Sequence, residues 1–77
     1  MAFDLTKYRK YKFVKELTVK EGTFPVGATI TVMNGRIFYN DGMIQPHFYD
    51  LFYDLLEYET NEGFNYLREI VIPYNKL

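Results

Sequence analysis

Asn34-Gly35, set between two alternating apolar runs, constrains this chain more than any other feature. Residues 28–33 and 36–40 place Ile30, Val32, Ile37 and Tyr39 at alternate positions around it. Asn-Gly is the preferred pair for a two-residue type I′ hairpin turn, because both central residues must take positive φ. That turn opposes Val32 to Ile37 and Ile30 to Tyr39 on one face. Asp41-Gly42 predicts a second tight turn, which sets Tyr39 against Ile44 and prolongs the same face. The other face carries Thr31, Met33, Phe38 and Met43. It is too apolar for a freely solvated surface, so it is expected to be covered by another strand or to bind a partner.

The flanking segments complete the domain. Residues 11–19 are expected to form one first strand at a sheet edge, with Tyr11, Phe13, Leu17 and Val19 sharing a parity interrupted by Lys15. Glu21, Gly22 and Pro25 frame a loop that Gly27 ends, and Phe24 can tuck from it onto the core. Pro46 opens a helix predicted over 47–59. There Phe48, Leu51, Phe52, Leu55 and Leu56 recur at i, i+3, i+4, i+7 and i+8, which makes one buried stripe. Gly63 offers a stop signal, and a final strand is predicted over 64–73, ended by Pro73. The order β-β-β-β-α-β predicts one domain over 1–77, with a basic arm at 1–10 and a β meander at 11–45. The expected fold class is mostly β or α+β: a small bent sheet or SH3-like partly open barrel, its open end covered by the helix. A plain α+β sheet is the alternative.

Hydrophobic packing must hold this fold, since the 77 residues include no Cys for a disulfide or a thiolate zinc site. An apolar fraction of 48% is enough to offset ordering entropy by burial, which argues against disorder. No apolar run reaches the roughly 20 residues that a bilayer crossing needs. No signal-peptide pattern follows Met1. A non-membrane, cytoplasmic protein is therefore expected.

The chain offers catalysis little to work with. Ser, Cys and Trp are absent, and Thr6 has no base set beside it by spacing. His47 and Asp50 form an i, i+3 pair that could orient a base or hold a metal, but no third partner follows from the spacing. Asp50, Asp54 and Glu57 form an i, i+4, i+7 row, which a solvated or partner-facing helix explains as well as acid–base chemistry does. The five glycines make no phosphate loop. A non-enzyme without cofactor or metal is the expectation.

Surfaces carry more information. Fifteen residues are aromatic, eight Tyr and seven Phe, more than a core this small needs. The phenylalanines largely follow the core positions. Tyr8, Tyr49, Tyr53, Tyr58 and Tyr74 remain for the outside, where tyrosine combines contact area with a hydroxyl. Charge is segregated as well. Residues 7–20 hold Lys7, Arg9, Lys10, Lys12, Lys15 and Lys20 against Glu16, whereas residues 37–67 hold six acids and no Lys or Arg. Such separation can pair internally, join copies head to tail, or present two distinct faces. A protein-interaction module is the leading expectation. Its contact surface is either the sheet face Met33, Phe38, Met43 or the helix face Tyr49, Tyr53, Asp54, Glu57, and it serves a protein partner or self-association. The alternative is nucleic-acid binding by Lys7, Arg9, Lys10, Tyr11 and Lys12, where cations alternate with aromatics.

Several stretches carry a resemblance. They are residues 32–39 (Val-Met-Asn-Gly-Arg-Ile-Phe-Tyr), 41–46 (Asp-Gly-Met-Ile-Gln-Pro), 66–69 (Tyr-Leu-Arg-Glu) and 72–76 (Ile-Pro-Tyr-Asn-Lys). Together they make up 23 of the 77 residues, and in them the chain resembles small accessory proteins of bacteriophages that infect Gram-positive bacteria. The resemblance implies a virion component or a modulator of a host protein, in the host cytoplasm or the virion. It assigns no functional residue.

Overall fold

The structure, a computed structural model, describes residues 4–70. The chain runs β1 (Arg9–Phe13), β2 (Leu17–Val19), β3 (Gly22–Phe24), β4 (Thr29–Met33), β5 (Arg36–Tyr39), β6 (Gly42–Met43), a 3₁₀ turn (Pro46–Phe48), α1 (Tyr49–Glu62) and β7 (Leu67–Ile70). The five-stranded sheet has the order β6-β5-β4-β1-β7, and β2-β3 forms a separate hairpin. The fold is α+β. With β6 and β7 at opposite edges, the sheet does not close into a barrel.

The Asn34-Gly35 hairpin forms as expected. Asn34 has φ 50° and Gly35 φ 77°, and Val32 pairs with Ile37 and Ile30 with Tyr39. The second turn lies one residue earlier than the Asp41-Gly42 expectation. Asn40 and Asp41 take the left-handed positions at φ 51° and 65°, Gly42 joins β6, and Tyr39 faces Gly42 rather than Ile44. The register moves by two residues, an even number, so every side chain keeps its expected face. Asn40 wins this position through its side chain. Its Oδ1 accepts the Thr29 N–H at 2.9 Å, while its own N–H donates to the Thr29 carbonyl at 2.9 Å.

The first strand departs from its sequence reading. Residues 14–16 break it, so residues 9–13 enter the large sheet and residues 17–19 pair with residues 22–24, a strand where a loop was expected. β1 is central, not an edge, lying between β4 and β7. Lys10 and Lys12 gave it an edge-like pattern because they line the outer side of a sheet with only one covered face. The arm is also shorter than 1–10: Arg9 and Lys10 belong to β1, and the Leu5 carbonyl accepts the Gly35 N–H at 2.7 Å.

The core lies on the other side of that sheet. Tyr11, Phe13, Ile30, Val32, Ile37 and Leu67 project from it to meet Phe52 and Leu56 of α1. Phe24 is the hinge of this packing. It stacks on Phe13 (5.1 Å between centroids) and meets Tyr39 and Phe52 edge-on at 5.6 and 5.5 Å. The helix begins next to β6 and ends next to β7, so it crosses from one sheet edge to the other. Its 14 residues extend about 21 Å, close to the roughly 19 Å across five strands. It runs three residues past the expected end. Gly63 stops it at φ 86°, donating to the Glu59 carbonyl. The expected last strand is described only as far as Ile70; residues 71–73 lie outside the described residues.

Two stability predictions follow from this packing. Asn40→Ala removes a hydrogen bond and puts a Cβ-bearing residue without local compensation in the left-handed region, at a cost of about 1–3 kcal/mol. Urea unfolding measures it, with Asn40→Gly restoring only the backbone part. Burial pushes the Tyr11 phenol above its ordinary value of 10.0, partly offset by its hydrogen bond with Arg9. The unfolded phenol therefore ionises first. Tyr11's contribution is complete below about pH 10 and is lost as pH rises through the folded value. In urea midpoints taken from roughly pH 9 to 11, Tyr11→Phe is expected to flatten the alkaline decline.

Candidate interaction surfaces

Three surfaces emerge from this scaffold. The first is a cleft of about 290 Å³ lined by Tyr39, Met43, Ile44, Gln45, Phe48 and Phe52. It forms because β6 is only two residues long and Pro46 turns the chain immediately into the helix. Among the described residues no strand covers β5 beyond Met43, so the apolar residues on either side of the turn line an open groove. Met43, at its rim, is 70% exposed.

The second surface is the outer side of α1. Phe52, Leu56 and Glu59 face inward; at 100° per residue, Asp50, Asp54 and Glu57 then lie on the opposite side. Among the described residues these three carboxylates have no ion-pair partner. Among the described residues, internal neutralisation of the charge separation seen in the sequence is limited to the Lys10–Asp41 pair. Asp50 sits in the first turn, where the helix dipole favours it. Tyr53 packs against the core and Tyr49 is half-buried, so the aromatic most open to solvent on α1 is Tyr58, 56% exposed.

The third is the far face of the sheet. Register places Thr31, Phe38 and Met43 in one row with Lys10, and Met33 with Arg36 in the next. Met33 and Phe38 are half-buried. With Tyr8, Thr31 and Asp41 they line a shallow cleft of about 230 Å³. Thr31 is 7% exposed, and its hydroxyl has no hydrogen-bond partner. Lys10 reaches Asp41 at 3.9 Å. Lys12 lies directly opposite Arg68, both exposed.

The basic stretch 7–12 does not form one patch. Lys10 and Lys12 point to the far face. Arg9 and Tyr11 belong to the core side, where Tyr11 is fully buried and stacks on Phe64 at 5.6 Å. Tyr11 thus has no free ring for a base. Its hydroxyl is the main reason the Arg9 guanidinium is held above its ordinary pKa. Lys7 is exposed, outside any strand. His47 is exposed and leans on Phe48 (4.3 Å between centroids). No group of three potential metal ligands occurs among the described residues, and no helix among them is long and apolar enough to cross a membrane.

Glu59 has a different place from the other helix acids. It is fully buried, and its Oε2 accepts the N–H groups of Tyr66 at 2.8 Å and Leu67 at 3.0 Å. Its position on the stripe of Phe52, Leu55 and Leu56 was the available signal, since an acid at that spacing points inward. The open cleft had no such signal, because it depends on how β6 and the 3₁₀ turn meet. No family model, curated protein or solved structure matches this chain.

Glu59→Ala leaves two backbone donors unpaired where β7 begins. A loss of about 2–4 kcal/mol is expected, read by thermal and urea unfolding. Glu59→Gln keeps an acceptor oxygen and should lose clearly less.

Proposed function

We propose that this chain is a non-enzymatic protein-interaction domain that docks a protein segment bearing an apolar anchor flanked by cations. The exposure of Met43 at the rim of the Tyr39/Ile44/Phe48/Phe52 cleft carries this reading. A flexible thioether at the rim of a cleft lined by aromatic residues adapts to an inserted side chain. On the outer side of α1, Asp50 begins an acidic row without ion-pair partners among the described residues, which supplies charge for a basic partner. Interface anatomy has this form, an apolar centre with a charged rim. Within the same proposal, and in keeping with the resemblance to phage accessory proteins, the domain acts in a virion or on a host protein in the host cytoplasm.

The direct test is selection from a random displayed-peptide library against the folded protein. Enriched sequences are expected to combine an aliphatic or aromatic anchor with nearby Lys or Arg. Met43→Glu should weaken the selected peptide by about tenfold or more. The melting temperature should hardly change, because so exposed a side chain contributes little to stability. Absence of enrichment, or binding indifferent to Met43→Glu, would discard the reading.

A further inference from the structure

We infer that the far face of the sheet docks the helix of a second copy of this chain, with Lys12 and Arg68 of one copy against Asp54 and Glu57 of the next. This goes beyond the peptide-docking reading, which uses the Met43 cleft.

Two local repulsions point to this contact. Lys12 and Arg68 are cross-strand partners on an exposed face. Their Cα atoms are therefore about 5 Å apart, and like charges directly opposite destabilise a sheet. Neither has an acidic partner among the described residues. On the helix, Asp50, Asp54 and Glu57 repel one another at i, i+4 and i+7, and they too are unpaired among the described residues.

These clusters cannot neutralise each other within one molecule. The helix packs on one side of the sheet and turns its acids away, while the cations project from the other side. Between copies they are complementary in sign and similar in extent. Lys10, Lys12 and Arg68 fall within about 8 Å, and Asp50 to Glu57 spans about 10 Å along the helix. Tyr58, on the flank of the acidic row, is a ring with a hydroxyl. The cleft beside Lys10 has aromatic walls and the unpartnered Thr31 hydroxyl at its floor. A contact between unlike faces is heterologous, so each added copy leaves one face of each kind open. It propagates or closes as a ring.

The test is light scattering across protein concentration and salt. Wild-type protein is expected to exceed the 9.2 kDa of one chain at low salt, pass beyond a dimer as concentration rises, and dissociate at about 1 M salt, where screening reaches about 3 Å. Two double variants separate the faces: Lys12→Glu with Arg68→Glu, and Asp54→Lys with Glu57→Lys. Each alone should remain monomeric while retaining a wild-type circular-dichroism spectrum. Mixed in equal amounts, they should associate, because each supplies the charge that the other lacks. Wild-type protein that is monomeric throughout, variants that associate as wild type does, or a mixture that stays monomeric would each overturn the inference. A monomer that instead binds a single-stranded oligonucleotide through Lys12 and Arg68 would overturn it in favour of a polyanion. A monomer that still selects basic peptides through Met43 would overturn it and leave the peptide-docking reading standing.

Discussion

The Glu59 carboxylate holds together the two parts of this fold that local sequence cannot join. Its Oε2 accepts two successive backbone N–H groups where the chain enters β7, and its own main-chain carbonyl accepts from Gly63 and Phe64. One residue thus ends the helix, reverses the chain and delivers Leu67 to Phe13 in the register that completes the sheet. A buried carboxyl is costly unless it is hydrogen-bonded, and the two amide donors on Oε2 offset part of that cost, while Oε1 is buried without a hydrogen-bond partner among the described residues.

The surfaces follow from that arrangement. A helix anchored at the β7 edge and reaching β6 covers one side of the sheet, and no element among the described residues covers the other. The covered side gathers Phe13, Phe24, Phe52, Tyr11 and Tyr39. The uncovered side collects every second residue of β1, which is where Lys10 and Lys12 fall, and β7 brings Arg68 beside them. The acids of α1, except Glu59, remain on the outside of the opposite layer. A charge separation that looks longitudinal in the sequence becomes transverse in three dimensions, because the basic strand lies at the centre of the sheet and the acidic helix crosses over it.

Much of the fold was legible locally. The Asn34-Gly35 turn and its register depend on φ preferences of adjacent residues, and the helix stripe depends on a period of 3.6, so both could be read from short windows. The displaced second turn was not readable this way. Asn40 and Asp41 tolerate positive φ about as well as Asp41-Gly42 would, and the choice depends on Thr29, eleven residues away. The position of β1 was misread for a related reason: alternating lysines are compatible with an edge strand and with a central strand covered on one side. Among the site candidates, Met43 was legible as an apolar residue on the wrong face for the core. Tyr11 was not legible as core rather than contact, since its ring fits the buried parity and the basic stretch equally well.

The sequence by itself determined the elements, the faces of the meander and the poverty of catalytic groups, because these depend on residue type and near-neighbour spacing. Only the tertiary structure decided which strand is central, which acid is buried and which charges are left without a partner. Those outcomes depend on pairings between residues far apart in the chain. β1 meets β4 and β7 through contacts that no local window contains, and those contacts bring Lys12 to Arg68 and Glu59 to the start of the last strand.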